Sequence, residues 1–354
     1  MFYRENGQFK SSYGSDQQML PILQDRAFMF GLLAFAFLVL PFVISDYVFL
    51  SLLIPFLILA LAAIGLNLLV GYCGQISLGH AAFMAVGAYA AYNLALRVPQ
   101  LSFLVVLVLA GLIAAAVGML FGIPSLRIKG LYLGVATLAA QFFIDWLFAR
   151  VKWFTNYAGS GSVSSAPVEL FGWKIDTPVE KYLFLLCVLI VFTIVANNLV
   201  RGHIGRAWMA TRDMDVAAEV IGIRPVYAKL TAFAISSFYV GVAGALWGFV
   251  HLGSWEPLAF NLTLSLNLLF MVIIGGLGSL LGSYFGAAFI VVLPILLNQV
   301  PAWLGVPIST AMAAHLEFMI FGALIVFFLI VEPHGLARLW AIGKEKMRLW
   351  PFPH

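Results

Sequence analysis

Apolar residues fall along this chain in long runs, and polar positions gather in the short stretches between them. Ten runs can be marked, near 27–45, 48–70, 78–96, 101–121, 131–149, 181–200, 229–250, 264–281, 283–300 and 315–332. Each is close to the ~20 residues that carry a helix across the hydrocarbon of a bilayer. Some are short or interrupted by glycine, which a span tolerates where neighbouring helices satisfy the freed backbone groups. The pattern predicts an all-α polytopic membrane protein with about ten transmembrane helices. The first run, AFMFGLLAFAFLVLPFVIS, has spanning length and no small-residue cleavage pattern, so it reads as a first transmembrane helix and not a removable leader.

The connections set the orientation. Arg4, Lys10 and Arg26 lie in 1–26, and Arg127 and Lys129 in 122–130. Arg201, Arg206, Arg212, Arg224 and Lys229 lie in 201–229, and Arg338, Lys344, Lys346 and Arg348 in the tail 333–354. Ten crossings place all four segments on one side, which the excess of Lys and Arg marks as cytoplasmic together with both termini. The opposite side receives 46–47, 97–100, 150–180, 251–263 and 301–314. Only the 150–180 loop there carries appreciable positive charge, partly balanced by Glu169, Asp176 and Glu180.

Composition narrows the class further. Of 354 residues, 63% are hydrophobic and 10% charged, against roughly a quarter charged in soluble domains. The net charge of +4 comes from sparse basic residues in the connections, which topology explains without nucleic acid. Cys73 and Cys187 sit in or beside apolar runs without metal-ligand spacing and read as buried free thiols.

Candidate chemistry is thin. Charges inside spans cost several kcal/mol and mark ion or proton relays; here only Asp145 and Glu317 (with His315) qualify, both near helix ends. The six histidines are scattered without metal spacing, and GSGS (159–162) lacks the Lys-Ser/Thr pair of a P-loop. No catalytic residues and no metal site are read. Uphill movement of a solute by this chain would draw its energy from another subunit.

The connection RGHIGRAWMATRDMDVAAEVIGIRPVYAK (201–229) offers an entry for that energy. Asp213 reads as an N-cap and Asp215 lies in the first turn, where a carboxylate suits the helix dipole. Met214, Val216, Ala217, Ala218, Val220 and Ile221 supply helix formers and apolar surface. Gly222 suits the position after the helix and Pro225 stops it. About two turns result, too few to be stable alone. A membrane surface or a protein groove would have to hold them.

The densest small and polar cluster is GYCGQISLGHAAFMAVGAYAA (71–91). Gly79, Ala81, Ala85 and Gly87 leave helix surface bare for close approach of another backbone. Gly71, Gly74 and Gly79 allow a break, and Gln75, Ser77 and His80 could stabilise the freed groups. For Gln75 and His80, packing at a kink and facing a pathway both remain open. LNLLVGYCGQISLG (66–79) has an echo in LNLLFMVIIGGLGSLLG (266–282), which pairs Asn67 with Asn267 and adds Gly275, Gly276 and Gly278. Symmetric broken helices often line a pathway; duplication and chance both stay possible.

These motifs resemble the membrane-spanning permease subunits of ABC importers for branched-chain amino acids, the LivM type in particular. The resemblance rests on GQISLGHAAFMAVGAYAA (74–91), LRIKGLYLGVATLA (126–139), GRAWMATRDMDVAAEVIGI (205–223), IIGGLGSLLGSYFGA (273–287) and EPHGLARLW (332–340). It implies a type II-like permease domain (27–332) in a bacterial inner membrane, with no ATPase site of its own. The implied partners are a second, homologous permease subunit, two cytoplasmic ATPases holding ATP and magnesium, and a periplasmic substrate-binding protein. Arg212, Asp213, Asp215, Ala217, Ala218, Glu219 and Gly222 match the ATPase-coupling segment. Val216 stands where many importers have Glu, so Asp215 or Glu219 becomes the polar contact. The outer loop FTNYAGSGSVSSAP (154–167) is looser than the amino acid subfamily's sequence, and relatives on this scaffold carry urea, short amides or aromatic acids. A stand-alone channel and a secondary transporter using Asp145 or Glu317 are the competing classes.

Overall fold

The computed structural model describes residues 11–12, 23–126, 130–158, 161–170, 172–303, 310–331 and 335–349. Arg4, Lys10, Arg127, Lys129, Gly159, Ser160, residues 332–334 and the end of the tail lie outside the described residues, as does the side chain of Glu317. The helices are α1 Gln24–Val43, α2 Asp46–Tyr72, α3 His80–Arg97, α4 Phe103–Gly122, α5 Leu131–Arg150 and α6 Pro178–Arg201. There follow α7 His203–Asp213, α8 Asp215–Val220, α9 Pro225–Leu252, α10 Leu262–Gly275, α11 Leu280–Trp303, α12 Thr310–Val331 and α13 Gly335–Leu349. Among the described residues, eight helices are long and apolar enough to cross a membrane. α3 and α12 stand where the sequence has its third and tenth apolar runs.

Burial separates core helices from peripheral ones. α2 and α9 are mostly enclosed, whereas α1 is exposed along nearly its whole length. α2 is buried on nearly every face from Ile54 to Tyr72 and apolar there except at Asn67, as a helix surrounded by others requires. α9 lies against α2, α3 and α4 through small residues. A methyl on Gly87 of α3 would overlap the Gly241 carbonyl, and one on Gly244 would overlap that of Met84. Such contacts replace the hydrophobic drive that lipid cannot supply. α1 is tied on by Tyr182 Oη, which donates to the Ala36 carbonyl (3.1 Å), and by Asp25 with Lys344 of α13 (2.9 Å).

The outer connection carries two small antiparallel pairs. Strands β1 (Val163–Ser164) and β4 (Ser254–Trp255) join the 150–180 loop to the segment after α9. Strands β2 (Val168–Leu170) and β3 (Trp173–Ile175) form a hairpin. Thr177 and Glu180 then close a capping box on α6, with Pro178 in its first turn.

Three expectations change. The run marked 264–281 ends earlier, at the glycine break named with the echo: α10 ends at Gly275 and α11 begins at Leu280. Gly276 (φ 124°) and Gly278 (φ 74°) turn the chain between them in backbone conformations that other residues rarely adopt. Asp213 is not an N-cap; it ends α7, and Met214 occupies the cap of α8. Cys73 is buried, but Cys187 is exposed because α6 packs on one face only.

Candidate functional site

Two features named by the sequence meet at one end of the bundle, the broken helix ends of α2 and α10 and the α7–α8 connection. α2 finishes in a π turn, Leu68–Tyr72, and the chain then runs without helix from Gly74 to Gly79. π turns inside longer helices recur at functional sites. Gly71 lies directly on the second break, since a methyl there would overlap the Gly278 nitrogen.

Asn67 fastens this contact. It is fully buried; its Oδ1 accepts from the Gly278 amide (2.9 Å). Its Nδ2 donates to the Ser279 carbonyl (2.8 Å) and Ser283 Oγ (2.9 Å). Its counterpart in the echo behaves differently, because Asn267 Oδ1 is buried with no hydrogen-bond partner. Gly275 completes the second break by lying against the Gly282 carbonyl.

The unwound stretch leads to the start of α3, whose own cap residue, Gly79, offers no side chain. The free amides there are satisfied from other helices. The Leu78 amide donates to Thr137 Oγ1 (2.9 Å), that of Ala81 to Ser265 Oγ (2.8 Å) and that of Ala82 to Gln141 Oε1 (2.8 Å). His80 is fully buried, with Nδ1 on Ser77 Oγ (2.7 Å) and Nε2 on Ser236 Oγ (2.8 Å). Both its nitrogens are spent on the protein. Gln75 is less committed: its Nε2 is 3.5 Å from the Cys73 carbonyl and its Oε1 is buried without a partner.

Thr137, Gln141, Ser236 and Ser265 were not singled out from the sequence. A signal was available for two of them. Thr137, Gln141 and Asp145 recur every four residues on α5 and so share one face. Gln141 Nε2 donates to both Asp145 oxygens (3.0 and 3.2 Å) and to the Phe260 carbonyl (2.8 Å). Asp145 is thus half-buried and held from inside the bundle.

The second feature is a helical hairpin. α7 is anchored by Trp208, fully buried, whose Nε1 donates to Thr231 Oγ1 (3.1 Å). α8 ends in a paired closure. The Ile223 amide reaches the Ala218 carbonyl (2.9 Å) and the Gly222 amide that of Glu219 (3.0 Å), with Gly222 at φ 88°. Asp215 faces inward to buried Lys229 (3.6 Å), and Ala218 is buried beside it. Ala217 and Glu219 are exposed. Met214, Val216, Val220 and Ile221 are also exposed, Val220 at 83%. Arg212 joins the two features: its Nη1 donates to the Gly71 carbonyl (2.9 Å), while Asp213 pairs with its other nitrogens. Among the described residues no cluster of three or more potential metal ligands occurs.

The family model described as branched-chain amino acid transport system / permease component matches residues 48–329. The high-affinity branched-chain amino acid transport system permease protein LivM of Salmonella typhimurium is 30% identical over 305 residues, 79% of this chain and 68% of that protein. LivM of Escherichia coli K12 matches to the same extent. The autoinducer 2 import system permease protein LsrC of Escherichia coli O9:H4 is 26% identical over 184 residues, 50% of this chain and 51% of that one. No solved structure matches the chain.

Proposed function

This chain belongs to the family of branched-chain amino acid transport system permease components, and from that premise we propose that it conducts branched-chain or other hydrophobic amino acids through the membrane within an ATP-driven importer. The proposed complex contains a second permease subunit, two cytoplasmic ATPases and a binding protein on the far side. ATP and magnesium are held by the ATPases, and this chain supplies the path and the coupling surface.

The observation that supports this most is α8. A six-residue helix cannot sustain itself, and among the described residues it is held from behind, by Ala218 and by Asp215 on Lys229. Its outer face, Val216, Val220 and Ile221 with Met214, is apolar and exposed. A groove on an ATPase is the occupant that this face suits, with Glu219 at its edge. Asp215, already engaged with Lys229, positions the helix. Glu219 then takes the polar contact.

The path follows the two broken helices. Asn67, His80 and Ser77 support the breaks through their own hydrogen bonds, and Gln75 and Asn267 keep polar atoms that cargo or water can use.

The test is reconstitution of the four partners in nanodiscs, with candidate amino acids presented on the binding protein. ATP hydrolysis stimulated by leucine, isoleucine or valine is the expected result. Stimulation by urea or an aromatic acid in their place would overturn the cargo assignment and leave the importer standing.

A further inference from the structure

Arg212, in the last turn of α7 and with its side chain 38% exposed, reaches the broken end of α2. Its Nη1 donates to the Gly71 carbonyl, and its Nε and Nη2 hold Asp213 (2.9 and 2.8 Å). Its aliphatic stem lies over Gly74, where an added methyl would stand 2.8 Å from Cγ, and a methyl on Gly278 would stand 3.5 Å from Nη1. One side chain therefore bonds the end of α2 and lies beside the unwound stretch after it and the turn between α10 and α11. The Gly71 carbonyl belongs to a helix end, where carbonyls lack helical partners. A charged donor makes the strong form of that missing bond.

We propose that Arg212 is the positioning residue that carries movement of the α7–α8 hairpin to the two glycine breaks, and is not itself part of the face that an ATPase covers. This rests on the reading of α8 as the docking helix. The two breaks are already one body at this point, because Asn67 on α2 holds the Gly278 amide and Gly71 abuts Gly278. Displacing α7 pulls on both through one guanidinium. Arginine suits this place and lysine does not fully replace it. Its planar fork holds Asp213 and the Gly71 carbonyl together, whereas an ammonium offers a single centre. Coupling so carried needs an element with two arrangements that both sites bias. Glycines at positive φ on both sides of the contact (Gly74 at 71°, Gly278 at 74°) supply the freedom to move.

The experiment uses the complete complex in proteoliposomes and compares wild type with Arg212→Ala and Arg212→Lys. Three quantities are read: co-purification of the ATPases, ATP-driven uptake, and hydrogen exchange at 71–79 and 276–279 with and without trapped nucleotide. In Arg212→Ala the ATPases still co-purify, uptake falls about tenfold, and the nucleotide-dependent change in exchange disappears. Arg212→Lys restores part of both, and it carries the test alone if the alanine variant does not fold. Wild-type uptake in Arg212→Ala, persistence of the nucleotide-dependent exchange, or loss of the bound ATPases would each overturn the proposal. Absence of ATP-driven uptake in wild type would instead sink the importer reading, so the two failures are distinct.

Discussion

Asn67 and Asn267 occupy matching places in the two sequence echoes and do different work. Asn67 makes three good hydrogen bonds to the second break, and Asn267 keeps a buried acceptor unpaired. Removing the first leaves the Gly278 amide without its side-chain partner, at about 1–3 kcal/mol for a buried group left unsatisfied, while the Ser279 carbonyl keeps the Ser283 amide. Asn67→Ala should therefore melt well below wild type in detergent, whereas Asn267→Leu should melt close to it. Equal losses would show that the echo is symmetric in energy as well as in sequence. The glycine breaks themselves were legible, because Gly, Ser and Asn stand out in an apolar run. That Asn67 reaches a turn more than two hundred residues away was not, since no local pattern encodes which break packs on which. Ser236 and Ser265 were hidden for the same reason: a serine in a span carries no sign of the amide or imidazole it serves.

At the scale of elements, the α7–α8 hairpin divides into a part that the chain stabilises and a part that it leaves open. Gly222, at φ 88° with open space around it, closes α8. Gly222→Ala should cost about 1–2 kcal/mol from the left-handed backbone alone and weaken coupling without altering the spans. A stronger effect is expected from Val220→Lys with Ile221→Lys. These side chains touch little in this chain, so thermal melting of the isolated subunit should hold while co-purification of the ATPases is lost. Retained ATPases would remove α8 from the docking surface. The end of α8 was readable from Gly222 and Pro225. Its start was misplaced because Asp213, a good cap by type, is drawn to Arg212 and finishes α7. α7 itself went unread as a helix, although Trp208 and Thr211, three apart, give its buried face.

For the whole molecule, the all-α polytopic architecture was carried by the hydrophobic pattern, because a bilayer imposes length on every crossing; among the described residues eight helices meet that length where ten runs are marked. Which spans lie at the centre was not. α1, α2 and α9 are all strongly apolar, and only packing distinguishes an enclosed helix from an exposed one. The shared end that holds Arg212, Gly71, Gly278 and the start of α13 is predicted to be cytoplasmic. A cysteine placed in the tail after Leu349 should then react with impermeant maleimide only after the membrane is opened, and labelling of intact cells would reverse the orientation. On the function proposed, this chain moves its cargo only when driven through α8. The most direct measurement is uptake of labelled leucine by proteoliposomes holding the chain with or without its partners. Uptake should require ATP, the ATPases and the binding protein together, and should vanish in the Val220→Lys, Ile221→Lys variant. Uptake by the chain alone without ATP, or undiminished uptake in that variant, would contradict the account.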